Sequence, residues 1–133
     1  MSDYEAVYTI THWYDGARVG IANLKGEPHY YENHWNEDKN DWSEIYFLEP
    51  IDAETFELAM EDWEIWLRWE RAFKEGKAIP ETHPALPEDK QRHNELEKTL
   101  AKRLTISTET SVKATAEFLY GQPTKVKWHI VED

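Results

Sequence analysis

The segment from Asp52 to Glu75 constrains this chain most, because it reads as one long helix set between strand-like stretches. Pro50 closes what precedes it, Asp52 is a good N-cap, and Glu54 sits in the positive first turn. Gly76 marks the C-terminal stop. Stepping round a wheel at about 100° per residue gathers Glu57, Glu61, Glu64, Arg68 and Arg71 in one narrow polar arc. The remaining arc, roughly two-thirds of the circumference, holds Phe56, Leu58, Ala59, Met60, Trp63, Ile65, Trp66, Leu67, Trp69, Ala72 and Phe73. An arc that wide predicts a helix buried on most of its sides, packed by a sheet and by a second helix.

Two carboxylates interrupt the apolar arc. Asp62 falls between Trp69 and Phe73, and Glu70 between Ala59 and Trp63. An unpaired buried carboxylate costs several kcal/mol, so each needs a cation, a set of donors or a raised pKa. Both are expected to be tied down by an Arg, a Tyr hydroxyl or a Trp indole and to fix packing. The alternative is a cleft walled by Trp63, Trp66 and Trp69, where Asp62 or Glu70 binds a cation or moves a proton. The two lie roughly 12 Å apart by helix rise, too far to share a proton.

Around the helix the chain reads as strands. Residues 5–14 are rich in β-branched and aromatic types, Asp15-Gly16 is a two-residue hairpin signal, and residues 17–24 form the returning strand. Lys25-Gly26-Glu27-Pro28 turns the chain again into His29–Trp35. After the charged loop from Asn36 to Asp41, Trp42–Leu48 gives a fourth strand. Beyond the long helix a loop carries Pro80, Pro84 and Pro87, and Pro87 opens a second helix to about Arg103 with Leu96, Leu100 and Leu104 as its stripe. Residues 111–119 and 125–131 alternate around Gly121-Gln122-Pro123-Thr124 and form a C-terminal hairpin. The expected fold class is α+β: an antiparallel N-terminal meander (SH3-like or a partial barrel), two helices and a C-terminal β-hairpin. With 133 residues and no repeat or linker, residues 1–133 read as a single domain.

Register arguments suggest a site on the meander. A two-residue Asp15-Gly16 turn pairs Trp13 with Arg18, Thr11 with Gly20 and Thr9 with Ala22 on one face. The Lys25-Gly26 turn adds Tyr31 beside Gly20 and His29 beside Ala22. Small residues flanked by Trp13, Arg18, His29 and Tyr31 would make a shallow depression, while Tyr8, Ile10, His12, Val19 and Ile21 form the core face. Gly20 is expected to allow close packing against the helix, and Trp13 with Arg18 to form an exposed cation–π pair.

Composition removes several functions. The 27 acidic against 15 basic residues give a formal charge of −12, which repels phosphate backbones and anionic lipid. No nucleic acid and no membrane is therefore expected as a direct partner. Without cysteine there is no disulfide, thiolate metal site or cysteine nucleophile, and the five glycines form no phosphate cradle. The N-terminus shows no signal peptide, so the expectation is a soluble cytoplasmic protein. Six histidines show no ligand spacing, although Glu70, His83 and His93 would meet if the interhelical loop folded back. No metal and no cofactor is expected.

Thr11-His12-Trp13-Tyr14-Asp15-Gly16, Gly20-Ile21-Ala22, Pro28-His29-Tyr30-Tyr31-Glu32 and the Ala59–Trp69 segment together resemble small uncharacterised bacterial proteins. The resemblance covers most of the chain and implies no activity. Three functions stay open on the residues. The first is a binding or interaction domain for a small molecule or protein, using Trp13, Arg18, His29, Tyr31, Asp62, Trp66 and Glu70. The second is a hydrolase-like or metal-assisted enzyme, with Glu70 or Asp62 as base or ligand beside His29, His83 or His93. The third is an acidic inhibitor that imitates nucleic acid.

Overall fold

A computed structural model describes residues 3–131. The fold is α+β, with six antiparallel strands and two helices. The strands are β1 (Glu5–Trp13), β2 (Ala17–Leu24), β3 (Glu27–Asn36), β4 (Asp41–Pro50), β5 (Val112–Leu119) and β6 (Lys125–Ile130). The helices, α1 (Ala53–Lys74) and α2 (Lys90–Arg103), lie between β4 and β5. The chain packs as two compact units, one of the segments up to Ile51 and from Thr105 onward, the other Asp52–Leu104.

The first unit is a closed barrel in the order β1-β2-β3-β4-β5-β6, each strand pairing with its sequence neighbours. Strands β1 and β6 close it through Glu5↔Val126 and Ala6↔Lys125. A small barrel has to fill its own interior, and it does so by setting small residues against large ones. Ala17, Ala22 and Ala114 are wholly buried beside Tyr31, Tyr46 and Leu48, with Phe118 and Trp128 packed against them. Three of the enclosed polar tips find backbone carbonyls. The Tyr46 hydroxyl donates to Ala17 at 2.7 Å, the Trp128 indole N–H to Asn23 at 3.0 Å, and the Tyr31 hydroxyl to Thr9 at 3.3 Å. Burial pushes the Tyr31 phenol well up and raises that of Tyr46, with Arg18 partly offsetting it at Tyr46.

The β2–β3 register matches the one read from sequence, with Gly20↔Tyr31 and Ala22↔His29 across a two-residue Lys25-Gly26 turn of positive φ. The β1–β2 register does not. The connection is a three-residue loop, Tyr14 to Gly16, and Trp13 lies opposite Ala17 instead of Arg18. Three register shifts interrupt β1, and Ile10 rather than Thr11 faces Gly20. Each bulge moves the following side chains to the other face. So Val7 and Ile10, one odd and one even, both pack on the core, while His12, expected inside, is exposed. The expected polar-walled depression therefore does not form: Gly20, Ala22 and Tyr31 belong to the barrel interior. Gly20 is required by close approach within the barrel. A Cβ there would lie 2.1 Å from the Thr9 carbonyl oxygen and 2.7 Å from the Tyr31 hydroxyl.

In the second unit, Asp52 caps α1 by accepting the Thr55 N–H at 2.8 Å, and Gly76 ends it with φ +74°. Short 3-10 turns at Pro80–Thr82 and Pro87–Asp89 lead into α2. Helix α1 buries fewer sides than its wheel suggested. Only Thr55, Ala59, Ile65 and Trp69 are buried, while Trp63 and Trp66 are half-buried and Phe73 is exposed. The buried residues of α2 are His93, Leu96 and Leu100. The helices run antiparallel, as their ion pairs show: Glu54 with Arg103, Glu61 with Arg92, and Arg68 with Asp89.

Candidate functional site: the aromatic mouth of the barrel

Three connections lie at one end of the barrel: Tyr14–Gly16, the residue 37–40 turn, and residues 120–124. A large aromatic residue flanks each. Tyr14 and Trp13 stand at the first, Trp35 and Trp42 at the second, and Tyr120 at the third. Four of these five are exposed: Trp13 by 56%, Tyr14 by 62%, Trp35 by 45% and Tyr120 by 47%. Trp42 is the hub. Its ring meets Trp35 edge-on at 5.5 Å, Tyr14 at 5.9 Å and His12 at 6.4 Å, and the Arg18 guanidinium lies 4.5 Å from its centroid. On the other side Tyr120 accepts the Ala17 N–H at 2.9 Å, stacks on Phe118 and takes the edge of Trp13 at 5.0 Å.

The mouth is fixed from beneath. Arg18 donates to the Tyr14 carbonyl at 2.8 Å, the Asp15 carbonyl at 2.9 Å and the Asn33 side-chain oxygen at 3.0 Å. Asn33 is buried, and its amide donates to the Ser43 and Ile45 carbonyls at 2.7 and 2.9 Å. Those bonds span the bulge that separates the Asn33↔Tyr46 pair from Trp35↔Trp42. Only an amide can accept from Arg18 and donate to two carbonyls at once. The Trp42 indole nitrogen is buried without a hydrogen-bond partner among the described residues.

The residues singled out from sequence divide between the units. Trp13 and Arg18 both belong to the mouth, but Arg18 packs over Trp42 rather than Trp13. Tyr31 is wholly enclosed in the barrel, and His29 is buried with its Nδ1 2.9 Å from the Glu27 carbonyl. In the helical unit Trp66 stacks on Trp63 at 4.8 Å. Glu70 pairs with Lys74 one turn along α1 at 2.7 Å, its side chain 27% exposed. Asp62 faces His93 Nδ1 at 2.7 Å, 23% exposed, and His93 Nε2 faces Glu97 at 3.0 Å. His83 sets its ring edge-on to Trp69 at 4.7 Å. Glu70, His83 and His93 thus take separate partners, and among the described residues no three or more His, Asp or Glu side chains are grouped so that they could hold a metal ion.

Sequence reasoning missed Tyr14, Trp35, Trp42, Tyr120 and Asn33. A signal was present, since every turn at this end is flanked by Trp or Tyr. It becomes legible only once strand order shows that the three turns share one end. The chain matches no protein-family model, no curated protein and no solved structure.

Proposed function

We propose that this protein is a binding module whose recognition surface is the aromatic mouth of the barrel. The observation that carries the reading is the convergence of Trp13, Tyr14, Trp35 and Tyr120, all exposed, on one end of a rigid β scaffold. Water-facing aromatic clusters are uncommon on a surface without a partner, and Trp and Tyr dominate the energetics of interfaces. The bonds from Arg18 and Asn33 hold the cluster in place before any ligand arrives, which lowers the ordering cost of binding. The acidic surface favours a partner other than nucleic acid, in keeping with a cytoplasmic role.

The enzyme reading draws on Asp62 and His93, which are within hydrogen-bond reach. General-base chemistry would require the far imidazole nitrogen to face a nucleophile or substrate proton. That nitrogen faces the Glu97 carboxylate, an arrangement suited to a structural ion pair. The binding reading is preferred for this reason.

The test is a titration of the labelled full chain with indole, benzyltrimethylammonium and benzoate, followed by NMR. At least one fragment should shift the Trp13, Trp35 and Trp42 indole signals, and a Trp13→Ala/Trp35→Ala variant should lose the effect while keeping its β-sheet amide pattern. If no fragment reaches these signals, or if the double variant responds as the parent does, the mouth is not the recognition surface.

A further inference from the structure

The barrel is closed along a short seam. Beyond Ala6 the β1–β6 contact continues with one bond, from the Val7 N–H to the Thr124 carbonyl at 3.3 Å. Residues Thr9–Trp13 of β1 run past that point with β2 on one side and, among the described residues, no strand paired on the other. The burial pattern agrees from Thr11 onward: Thr9 is buried and Ile10 half-buried, but Thr11, His12, Trp13, Tyr14 and Asp15 are five consecutive exposed residues, whereas β2 is buried or half-buried throughout. A strand edge of this kind presents backbone donors and acceptors to a second chain. Edges that must stay unpaired usually carry Lys, Glu or Pro, yet Ala6–Trp13 contains no charged residue and no proline.

Charge says what fits there. Asp15, Glu37, Asp38 and Asp41 lie in the turns that frame the mouth, all exposed and none with an ion-pair partner among the described residues. Trp13, Tyr14 and Trp35 are exposed at the same end of the barrel. Aromatic faces bounded by carboxylates attract Lys or Arg side chains, through the ring quadrupole and through Coulomb attraction together. A second copy of this chain is a poor occupant, since each carries a formal charge of −12 and the three shifts along β1 prevent a long flat register.

We propose that the open edge of β1 takes an extended, cationic segment of a partner protein, which adds as a strand beside Thr9–Trp13. Side chains alternate along such a strand, so every second residue of the segment would face the mouth. Lys or Arg at those positions would lie against Trp13, Tyr14 and Trp35. The inference rests on the mouth being the recognition surface and adds the class of partner and its backbone geometry.

The experiment uses the full chain and three fluorescein-labelled octapeptides, read by anisotropy. One alternates Lys and Val, one alternates Glu and Val, and one repeats the Lys/Val sequence with alternate amides N-methylated along its bonding edge. Saturable binding is expected for the Lys/Val peptide and none for Glu/Val, with a loss of about tenfold or more in about 0.5 M salt. N-methylation should weaken binding about tenfold, and hydrogen exchange should slow at β1 amides when the unmethylated peptide binds. If the methylated peptide binds equally well but Trp13→Ala/Trp35→Ala abolishes binding, the mouth stands and strand addition fails. Binding that ignores the double variant overturns both. Absence of Lys/Val binding, or a β1-paired dimer in sedimentation at the same concentrations, overturns the cationic partner.

Discussion

In the barrel, Tyr31, Tyr46 and Trp128 bury their rings and hand their polar tips to backbone carbonyls. In the helical unit, three polar contacts join charged side chains at the surface: Glu54–Arg103, Glu61–Arg92 and Arg68–Asp89. The barrel bonds are enclosed, long-range in sequence and out of reach of salt. The helix pairs are exposed, screened by ions and open to protonation. One polar link of the helical unit falls between these kinds. Asp62 continues the α1 stripe of Ala59 and Ile65, and meets His93 on the buried side of α2. The two regions should therefore respond to different perturbations.

The sharpest way to break the comparison is at Gly20. Gly20→Ala forces a methyl into the Thr9 carbonyl, with no flexible side chain able to yield at that atom. A loss of about 3 kcal/mol in urea unfolding is expected, the upper end for overpacking. A loss under about 1 kcal/mol would mean that the β1–β2 crossing relaxes easily, and that the barrel is softer than its contacts imply. Next comes Asp62→Ala, which leaves the mostly buried His93 ring without its closer partner. About 1–2 kcal/mol is expected, because a partly buried hydrogen bond to a charged group is lost. Glu70 was singled out by the same reasoning, yet its Lys74 partner lies one turn away on the helix surface. Glu70→Gln should cost only about 0.3 kcal/mol. Equal effects at the two carboxylates would erase the distinction drawn between them.

That pair shows how far the sequence could be read. Periodicity, the Asp52 cap, Gly76 and the Lys25-Gly26 turn placed every main element, because each is a local signal written in neighbouring residues. Local signals stop short of barrel closure, since the Glu5↔Val126 pairing joins residues far apart in the chain. The β1–β2 register failed for a different reason. Asp15-Gly16 suits both a two-residue and a three-residue loop, and bulges leave no simple mark in the pattern of Thr9–Trp13. The wheel of α1 showed where Asp62 and Glu70 point but not who answers them. His93 lies 31 residues from Asp62, whereas Lys74 sits four residues from Glu70. Trp13 and Arg18 were found and their neighbours at the mouth were not, because Trp35, Trp42 and Tyr120 join them only through strand order.

A finer division concerns the surface pairs. Arg68 donates two bonds of 3.0 Å to Asp89, the bidentate geometry that gives an exposed pair its best return. A double-mutant cycle with Arg68→Gln and Asp89→Asn should give a coupling of about 0.5–1 kcal/mol that falls in about 0.5 M salt. A coupling indifferent to salt would place this pair with the barrel's shielded bonds.

The smallest effect expected is in acid. Hydrogen bonds from Arg92 hold the Glu61 carboxyl below the usual glutamate range. In the unfolded chain Glu61 titrates near the ordinary value of about 4.3, so between the two values the unfolded state binds more proton. The contribution of the pair is then fully present above about pH 4.3, and is lost as pH falls through the lowered folded value. Arg92→Gln should return the Glu61 titration upward in carboxyl NMR. Its stability deficit against the parent should be largest at about pH 6 and shrink as pH falls below about 4.3 through the lowered folded value. The barrel offers an internal comparison, since Glu117 is lowered in the same direction by its hydrogen bond to His129. Replacing His129 with Gln should raise the Glu117 titration and leave Glu61 unchanged. A deficit in Arg92→Gln that stays constant from pH 6 to pH 3 would assign the role of Arg92 to its packing, and the helical unit would then lose its claim to acid sensitivity through this pair.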